Sequence, residues 1–140
     1  MVRSTQPFEL YAGRWSDDKG GCAVIQEGPT TVRIVMTGSV TGELALHVVD
    51  ALTSLFARGK KWHLFWDLEE LKAYESAVRV ECTNVLLRHW PQVDSLHAFA
   101  VSKIVRMGVA VANLALRNRL VSHGERASFE AAMKSALGSA

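Results

Sequence analysis

Apolar and polar residues alternate through much of the first third of the chain, which predicts strands rather than helices. The predicted strands are residues 8–15, 22–26 and 31–36. The third strand places Val32, Ile34 and Met36 on one face. Turn-forming residues fill the intervals 16–21 and 27–29. Because short turns join antiparallel neighbours, the sheet is expected to begin with antiparallel strands.

After residue 41 the apolar period lengthens to that of a helix, and helical and strand segments then alternate. Further strands are predicted over 62–66, 95–101 and 119–123. Helices are predicted up to Gly59, over about 77–90, from Ser102 to about 118, and up to Gly138. The order β-β-β-α-β-α-β-α-β-α predicts a single α/β domain over residues 1–140, a mixed sheet with about four helices packed on it. Residues 1–7 are expected to fray.

The segment from Trp62 to Ser76 carries the most specific chemistry in the chain. Its apolar start ends in a carboxylate, Asp67, as expected for a buried strand, and residues 68–74 are predicted to form an acidic loop. Ser76 is predicted to be the N-cap of the next helix, because a serine hydroxyl accepts a hydrogen bond from the first turn. Function tends to gather at the carboxyl ends of parallel strands, so this loop and helix start are candidate site elements.

These residues resemble a known signature. Asp67-Leu68 followed by Glu75-Ser76 is similar to the pattern of STAS domains, the family of SpoIIAA-like anti-sigma-factor antagonists, in which a strand ends in Asp-Leu and an Asp-Ser pair opens the next helix. Residues 38–41 occupy the place of the family's Gly-Glu-Leu turn. The resemblance extends from about Thr31 to the C-terminus. The tail is more similar to divergent bacterial STAS-like proteins that also resemble CRAL-TRIO lipid-binding domains.

The resemblance implies a non-enzymatic, cytoplasmic regulatory domain that binds a protein partner, which is a kinase or anti-sigma-like protein or another regulator. It also implies that Ser76 is a phosphoacceptor, since a phosphate adds roughly −1.5 to −2 charges and would repel a docked partner. The partner surface implied by the resemblance comprises Ser39, Thr41, Asp67, Glu69, Tyr74, Glu75 and Arg79. Asp67 would support the loop by accepting backbone N–H bonds. The sequence departs from the family at Glu75 and at Val78, where the family has aspartate and often glycine.

The third predicted helix supports an alternative function. Apolar residues lie all round it, and the basic residues Lys103, Arg106, Arg117 and Arg119 flank its ends. This pattern indicates burial, a partner surface or contact with an acidic lipid. The alternative is therefore a small-molecule or lipid-binding module, with a pocket between this helix and the sheet lined by Val105, Met107 and Val111. Gly108 and nearby alanines favour close packing on the sheet or on another subunit, which leaves a homodimer open.

A small enzyme that uses Asp67, Glu69 and Glu70 as a carboxylate cluster is the third alternative. No nucleotide-binding, hydrolase or metalloprotease motif is present, and the five histidines are spread over different elements, so no cofactor or metal is expected. Sixteen basic against fourteen acidic residues give a net charge of +2, too small to predict a nucleic-acid partner. No secretory signal or membrane span is apparent, and two distant cysteines indicate reduced thiols and a cytoplasmic location.

Overall fold

The computed structural model describes residues 10–138, which form seven strands and four helices. The strands are β1 Ala12–Ser16, β2 Gly20–Gln26, β3 Thr31–Val40, β4 Trp62–Leu68, β5 Leu71–Tyr74, β6 Val93–Ala100 and β7 Leu120–His123. The helices are α1 Gly42–Phe56, α2 Ser76–Arg88, α3 Lys103–Ala115 and α4 Arg126–Gly138, with a 3₁₀ turn at Trp90–Gln92. The prediction of a single mixed sheet with four helices is confirmed.

One mixed sheet contains all seven strands. Its order is β1-β2-β3-β4-β6-β7, with β5 paired to β3 beyond the end of β4. The pairs β1–β2 and β2–β3 are antiparallel, as predicted, whereas all later pairs are parallel. Parallel neighbours require helical crossovers, which explains why helices alternate with strands after β3.

Alternate residues of β4 point to opposite faces of the sheet and belong to different cores. Trp62, Leu64 and Trp66 pack into a large core with side chains of α1, α2 and α3. Phe65 joins a small cluster with Phe99 of β6 and with residues of α4. We call these the three-helix face and the α4 face.

The turn that the resemblance implied at residues 38–41 is wrong, because β3 continues to Val40. Gly38 has φ +69, and the register of β3 with β5 shifts between Gly38 and Ser39. A side chain at Gly38 would collide with the Lys19 carbonyl, so only glycine lets the strand bend there and continue.

The predicted loop at 68–74 is also wrong, because Leu68 ends β4 and Leu71–Tyr74 forms β5. Only Leu71 of this strand is buried, so its sequence lacks an alternating pattern and pairing with β3 creates the strand. Of the strand predicted over 8–15, the described residues form a strand at Ala12–Ser16, one residue beyond the predicted end. The predictions for residues 1–9 lie outside the described residues.

Candidate functional site

Ser76 lies in the first turn of α2, exposed to solvent. Its predicted role as N-cap is wrong: the helix begins at Ser76 itself, and Glu75, with φ −73 and ψ 147, is the N-cap. The Glu75 side chain forms no cap bond, because its Oε1 instead accepts a hydrogen bond of 2.7 Å from the backbone N–H of Gly42. Within residues 10–138 the Ser76 hydroxyl has no hydrogen-bond partner, so it is free for chemistry or contact.

Pairing of β5 with β3 brings several of the predicted surface residues together. Ser39 lies opposite Ala73, and the Glu75 backbone N–H donates to the Val40 carbonyl at 3.1 Å. Thr41 follows directly and caps α1, with Oγ1 accepting from the N–H of Leu44 at 3.2 Å. The starts of α1 and α2 therefore form one continuous surface that includes Ser39, Thr41, Glu75 and Ser76.

Asp67 and Glu69 belong to a different site, on the α4 face. Asp67 is buried and its carboxylate lies 2.7 Å from the Arg126 guanidinium and 3.7 Å from that of Arg33. Glu69 also pairs with Arg126 at 2.7 Å. The expectation that Asp67 accepts backbone N–H bonds is corrected, because its partners in the described chain are two guanidinium groups. The role of Arg126 was missed, since nothing in the sequence links residues so far apart.

These contacts stabilise the charged form of the Arg126 guanidinium. Burial lowers the pKa of its guanidinium, but the hydrogen bonds and charges of Asp67 and Glu69 outweigh burial and raise the pKa above its usual value. Glu130, one helical turn further along α4, completes this cluster of carboxylates. Arg126 pairs with two of the three carboxylates proposed for acid–base work, Asp67 and Glu69, and the third, Glu70, is exposed.

A cavity of about 90 Å³ lies between α2, α3 and the sheet. Its walls are mainly apolar and include Met36, Leu68, Leu71, Val78, Cys82, Leu86, Val109, Leu116 and Leu120. Tyr74, Arg79 and Trp66 also line it, so two of the residues predicted for the partner surface, Tyr74 and Arg79, contribute to this cavity. Burial raises the pKa of Cys82 to about 12, which leaves its thiol protonated and a poor nucleophile.

The predicted pocket residues divide between two sides of α3. Val105 is buried and lines the cavity, together with Gly108, Val109 and Ala112 of the same helix. Met107 and Val111 do not line it, because helical geometry directs them to the opposite side, where they are 61% and 47% exposed. With Ile104 and Leu114 they form an apolar stripe on the helix surface.

Two of the five histidines meet on the α4 face, which the sequence did not indicate. His97 Nδ1 lies 3.0 Å from His123 Nε2, and His123 Nδ1 lies 2.9 Å from the Ser128 hydroxyl. His97 also stacks on Phe65, with ring centroids 4.5 Å apart. Burial, with smaller contributions from the charges of His123 and His63, lowers the pKa of His97 to about 4. The pair is therefore neutral at pH 7 and adds to the packing beneath α4.

No group of three or more histidine, cysteine, aspartate or glutamate side chains within 10–138 is placed to hold a metal ion. Over the same range, none of the helices has the length and apolarity needed to cross a bilayer.

Comparison with known proteins identifies the fold. No protein-family model matches the chain, and no curated protein matches it. Among solved structures, the chain is similar to an uncharacterized protein of the DUF3478 family with a SpoIIAA-like fold, from Shewanella loihica PV-4. The two share 13% sequence identity with a TM-score of 0.59, over 94% of this chain and 99% of the other. This chain therefore has the SpoIIAA-like fold of STAS domains, as its motifs predicted.

Proposed function

We propose that this protein is a non-enzymatic regulatory domain that binds a protein partner on the surface around Ser76, and that phosphorylation of Ser76 releases the partner. The observation that carries the proposal is the exposed hydroxyl of Ser76 in the first turn of α2, which has no hydrogen-bond partner among residues 10–138. A kinase requires such an accessible hydroxyl, whereas a capping serine would have to break a hydrogen bond first.

Helix α2 is suited to carry a phosphate at this position. A helix N-terminus stabilises negative charge through its unpaired N–H groups and its dipole. No acidic residue lies in the first turn of α2, and the neighbouring Glu75 carboxylate is engaged by Gly42. A phosphate on Ser76 would leave the helix folded and change only the charge of the surface.

The same side of α2 offers apolar contact area. Val80 and Leu87 follow Ser76 at helical spacing and are 43% and 45% exposed. Apolar side chains at the centre of a patch with a polar rim are typical of protein interfaces. The proposed surface therefore comprises Ser39, Thr41, Glu75, Ser76 and these two residues, without Asp67, Glu69, Tyr74 and Arg79.

The test compares capture of proteins from native-source lysate by wild type, Ser76→Ala and Ser76→Glu. We expect wild type and Ser76→Ala to capture the same partner in stoichiometric amount and Ser76→Glu to lose it. Ser135→Glu, which adds the same charge at an exposed site on α4, should bind like wild type. Equal capture by wild type and all three variants would refute the switch. Absence of phosphate on Ser76 in protein from its native source would refute the modification.

A second candidate function is supported by the cavity, which would bind a small apolar molecule or part of a lipid. The test uses Ala112→Leu, which fills space at the cavity wall, and Ala110→Leu, which adds the same volume on the exposed side of α3. We expect an apolar compound to co-purify with wild type and Ala110→Leu but not with Ala112→Leu. Equal recovery from all three, or from none, would contradict this function.

A further inference from the structure

The outer side of α3 is an apolar surface that no other part of residues 10–138 covers. Of the 13 residues of this helix, only Val105 is buried. Leu114, at the end of the apolar stripe, is 72% exposed, although leucine is among the side chains most often found inside proteins. A contiguous row of exposed apolar side chains usually marks an interaction site. The stripe is therefore a candidate docking surface.

The spacing of the apolar stripe suits contact with another helix. Its members recur at intervals of three, four and three residues, which are the a and d positions of a heptad repeat: Ile104, Met107, Val111 and Leu114. An a/d stripe is the narrow seam of helix pairs, whereas a helix that packs on a broad surface carries a wider apolar face. Ala110 and Ala115 lie exposed beside the stripe, and such small side chains let a second helix approach closely.

The charges around the stripe require an acidic partner. Residues 95–124 contain no aspartate or glutamate, while Lys103 and Arg117 are exposed at opposite ends of α3. Within residues 10–138, neither of these side chains makes an ion pair or a hydrogen bond. The helix has 13 residues, so the two charges are separated by about 20 Å. Lys103 also lies at the N-terminus of the helix, where the dipole favours anions, and no acidic residue in the first turn offsets it.

A second copy of this chain would not satisfy these charges. If two α3 helices paired in parallel, Lys103 of one copy would lie beside Lys103 of the other. If they paired antiparallel, Lys103 would lie beside Arg117. Like charges meet in both arrangements, and this disfavours self-association through the stripe.

An anionic membrane is also less well matched than a helix. Helices that lie on membranes carry many basic residues around a broad apolar face. Near α3, however, two further basic side chains are already engaged within the chain. Arg106 Nε donates to the Ala100 carbonyl at 2.9 Å, and the Arg119 Cζ lies 4.9 Å from the centroid of the Trp90 ring. The remaining charge is concentrated at the two ends of a narrow stripe.

We propose that the apolar stripe of α3 docks an amphipathic helix of another protein. The a and d residues of that helix would pack between the four apolar side chains, and its carboxylates would pair with Lys103 and Arg117. This surface does not include Ser76, so the inference goes beyond the proposed function and does not depend on it.

The test uses two synthetic helical peptides of about three heptads, with leucine at a and d. The peptides differ only at e and g, where one carries glutamate and the other lysine, so that each repels its own copies. Binding to the full chain is measured by fluorescence anisotropy. We expect wild type to bind the glutamate peptide about tenfold more tightly than the lysine peptide, because two exposed attractions replace two repulsions.

Two sets of variants separate the apolar contribution from the charge. Leu114→Ser should lose about tenfold or more in affinity for the glutamate peptide, while Leu46→Ser, at an exposed position on α1, should bind like wild type. The double variant Lys103→Glu/Arg117→Glu should prefer the lysine peptide. Its control, Arg88→Glu/Lys134→Glu, makes the same change in net charge at exposed positions on α2 and α4 and should keep the preference of wild type.

Several results would overturn this inference. They are failure of wild type to bind either peptide, equal affinity for both, or an unchanged preference in Lys103→Glu/Arg117→Glu. Sedimentation of wild type, but not of Leu114→Ser, with phosphatidylglycerol vesicles would assign the stripe to a membrane instead. A dimer of wild type that Leu114→Ser abolishes, measured by analytical ultracentrifugation, would assign it to a second copy.

Discussion

The two faces of the sheet differ in whether their buried polar groups have partners. On the α4 face, Arg126 is surrounded by Asp67, Glu69 and Glu130, and two histidines pair with each other. On the three-helix face, the buried indole N–H of Trp66 lacks a partner in the described chain. A paired polar group stabilises the fold, whereas a buried donor without a partner costs stability. The α4 face is therefore held together partly by polar pairs, whereas the three-helix face contains the apolar cavity.

The largest expected effect comes from the core of the α4 face. Phe129 is fully buried and contacts the rings of Phe65, Phe99 and His123. Phe129→Ala should lower the free energy of unfolding by about 3–5 kcal/mol, because the removed ring leaves a cavity. Urea denaturation measures the change. Leu137→Ala, on the exposed side of the same helix, is the control and should lower the free energy of unfolding much less. Similar losses for both variants would show that α4 is not held by this cluster.

The ion cluster on the α4 face should give the next largest effect. Arg126→Met keeps much of the aliphatic chain and removes the charge, which leaves the buried Asp67 carboxylate without its nearest counter-ion. We expect a loss of about 2 kcal/mol in the free energy of unfolding, less than for a fully buried pair because the Arg126 side chain is 37% exposed.

The matched control for this cluster is Arg117→Met, at an exposed position just after α3, which should be close to neutral. Adding Asp67→Asn to Arg126→Met should recover part of the lost stability, since no unpaired charge then remains. If Arg126→Met unfolds at the same urea concentration as wild type, the cluster makes no net contribution to stability.

A pair of tryptophans on the three-helix face allows a direct comparison of a satisfied and an unsatisfied donor. Trp62→Phe removes the hydrogen bond to the Leu55 carbonyl, whereas Trp66→Phe removes a buried N–H that has no partner. In the absence of ligand, Trp62→Phe should cost about 1–2 kcal/mol more stability than Trp66→Phe. Thermal and urea unfolding of both variants measure the difference. An equal or greater cost for Trp66→Phe would indicate that its N–H already has an acceptor.

The smallest effect expected is the contribution of His97 to stability at mildly acidic pH. Its pKa is about 4 in the folded protein against 6.5 for the free side chain, so the unfolded chain takes up the proton first. The stability that the neutral His97 ring contributes is fully present above pH 6.5 and is lost as the pH falls toward 4. At pH 5 we expect about 1 kcal/mol less stability from this group than at pH 7, after allowing for screening of a half-exposed side chain.

The control for His97 is His97→Gln, which cannot titrate. The stability difference between wild type and this variant should narrow when urea unfolding is measured at pH 5 instead of pH 7. A difference that stays constant would show that the His97–His123 pair does not titrate as described.

The local sequence pattern was sufficient to predict most of the fold and part of the candidate site. The alternation in β3 and the helical period of α1 and α4 are properties of neighbouring residues, so the sequence predicted them. It missed β5, whose only buried residue is Leu71, because this strand depends on pairing with β3. It also misplaced the N-cap of α2, because Glu75 adopts the capping backbone conformation while its carboxylate binds the start of α1.

By itself, the sequence determined the order of elements, the mixed α/β class and the resemblance to STAS domains, because these follow from periods and motifs within a few residues. Only the tertiary structure decided which polar groups find partners. Arg126 of α4 meets Asp67 of β4, whereas the indole N–H of Trp66 meets no acceptor in the described chain. The physical reason is that charges and hydrogen bonds act over a few ångströms, and strand pairing and helix docking bring distant residues to those distances.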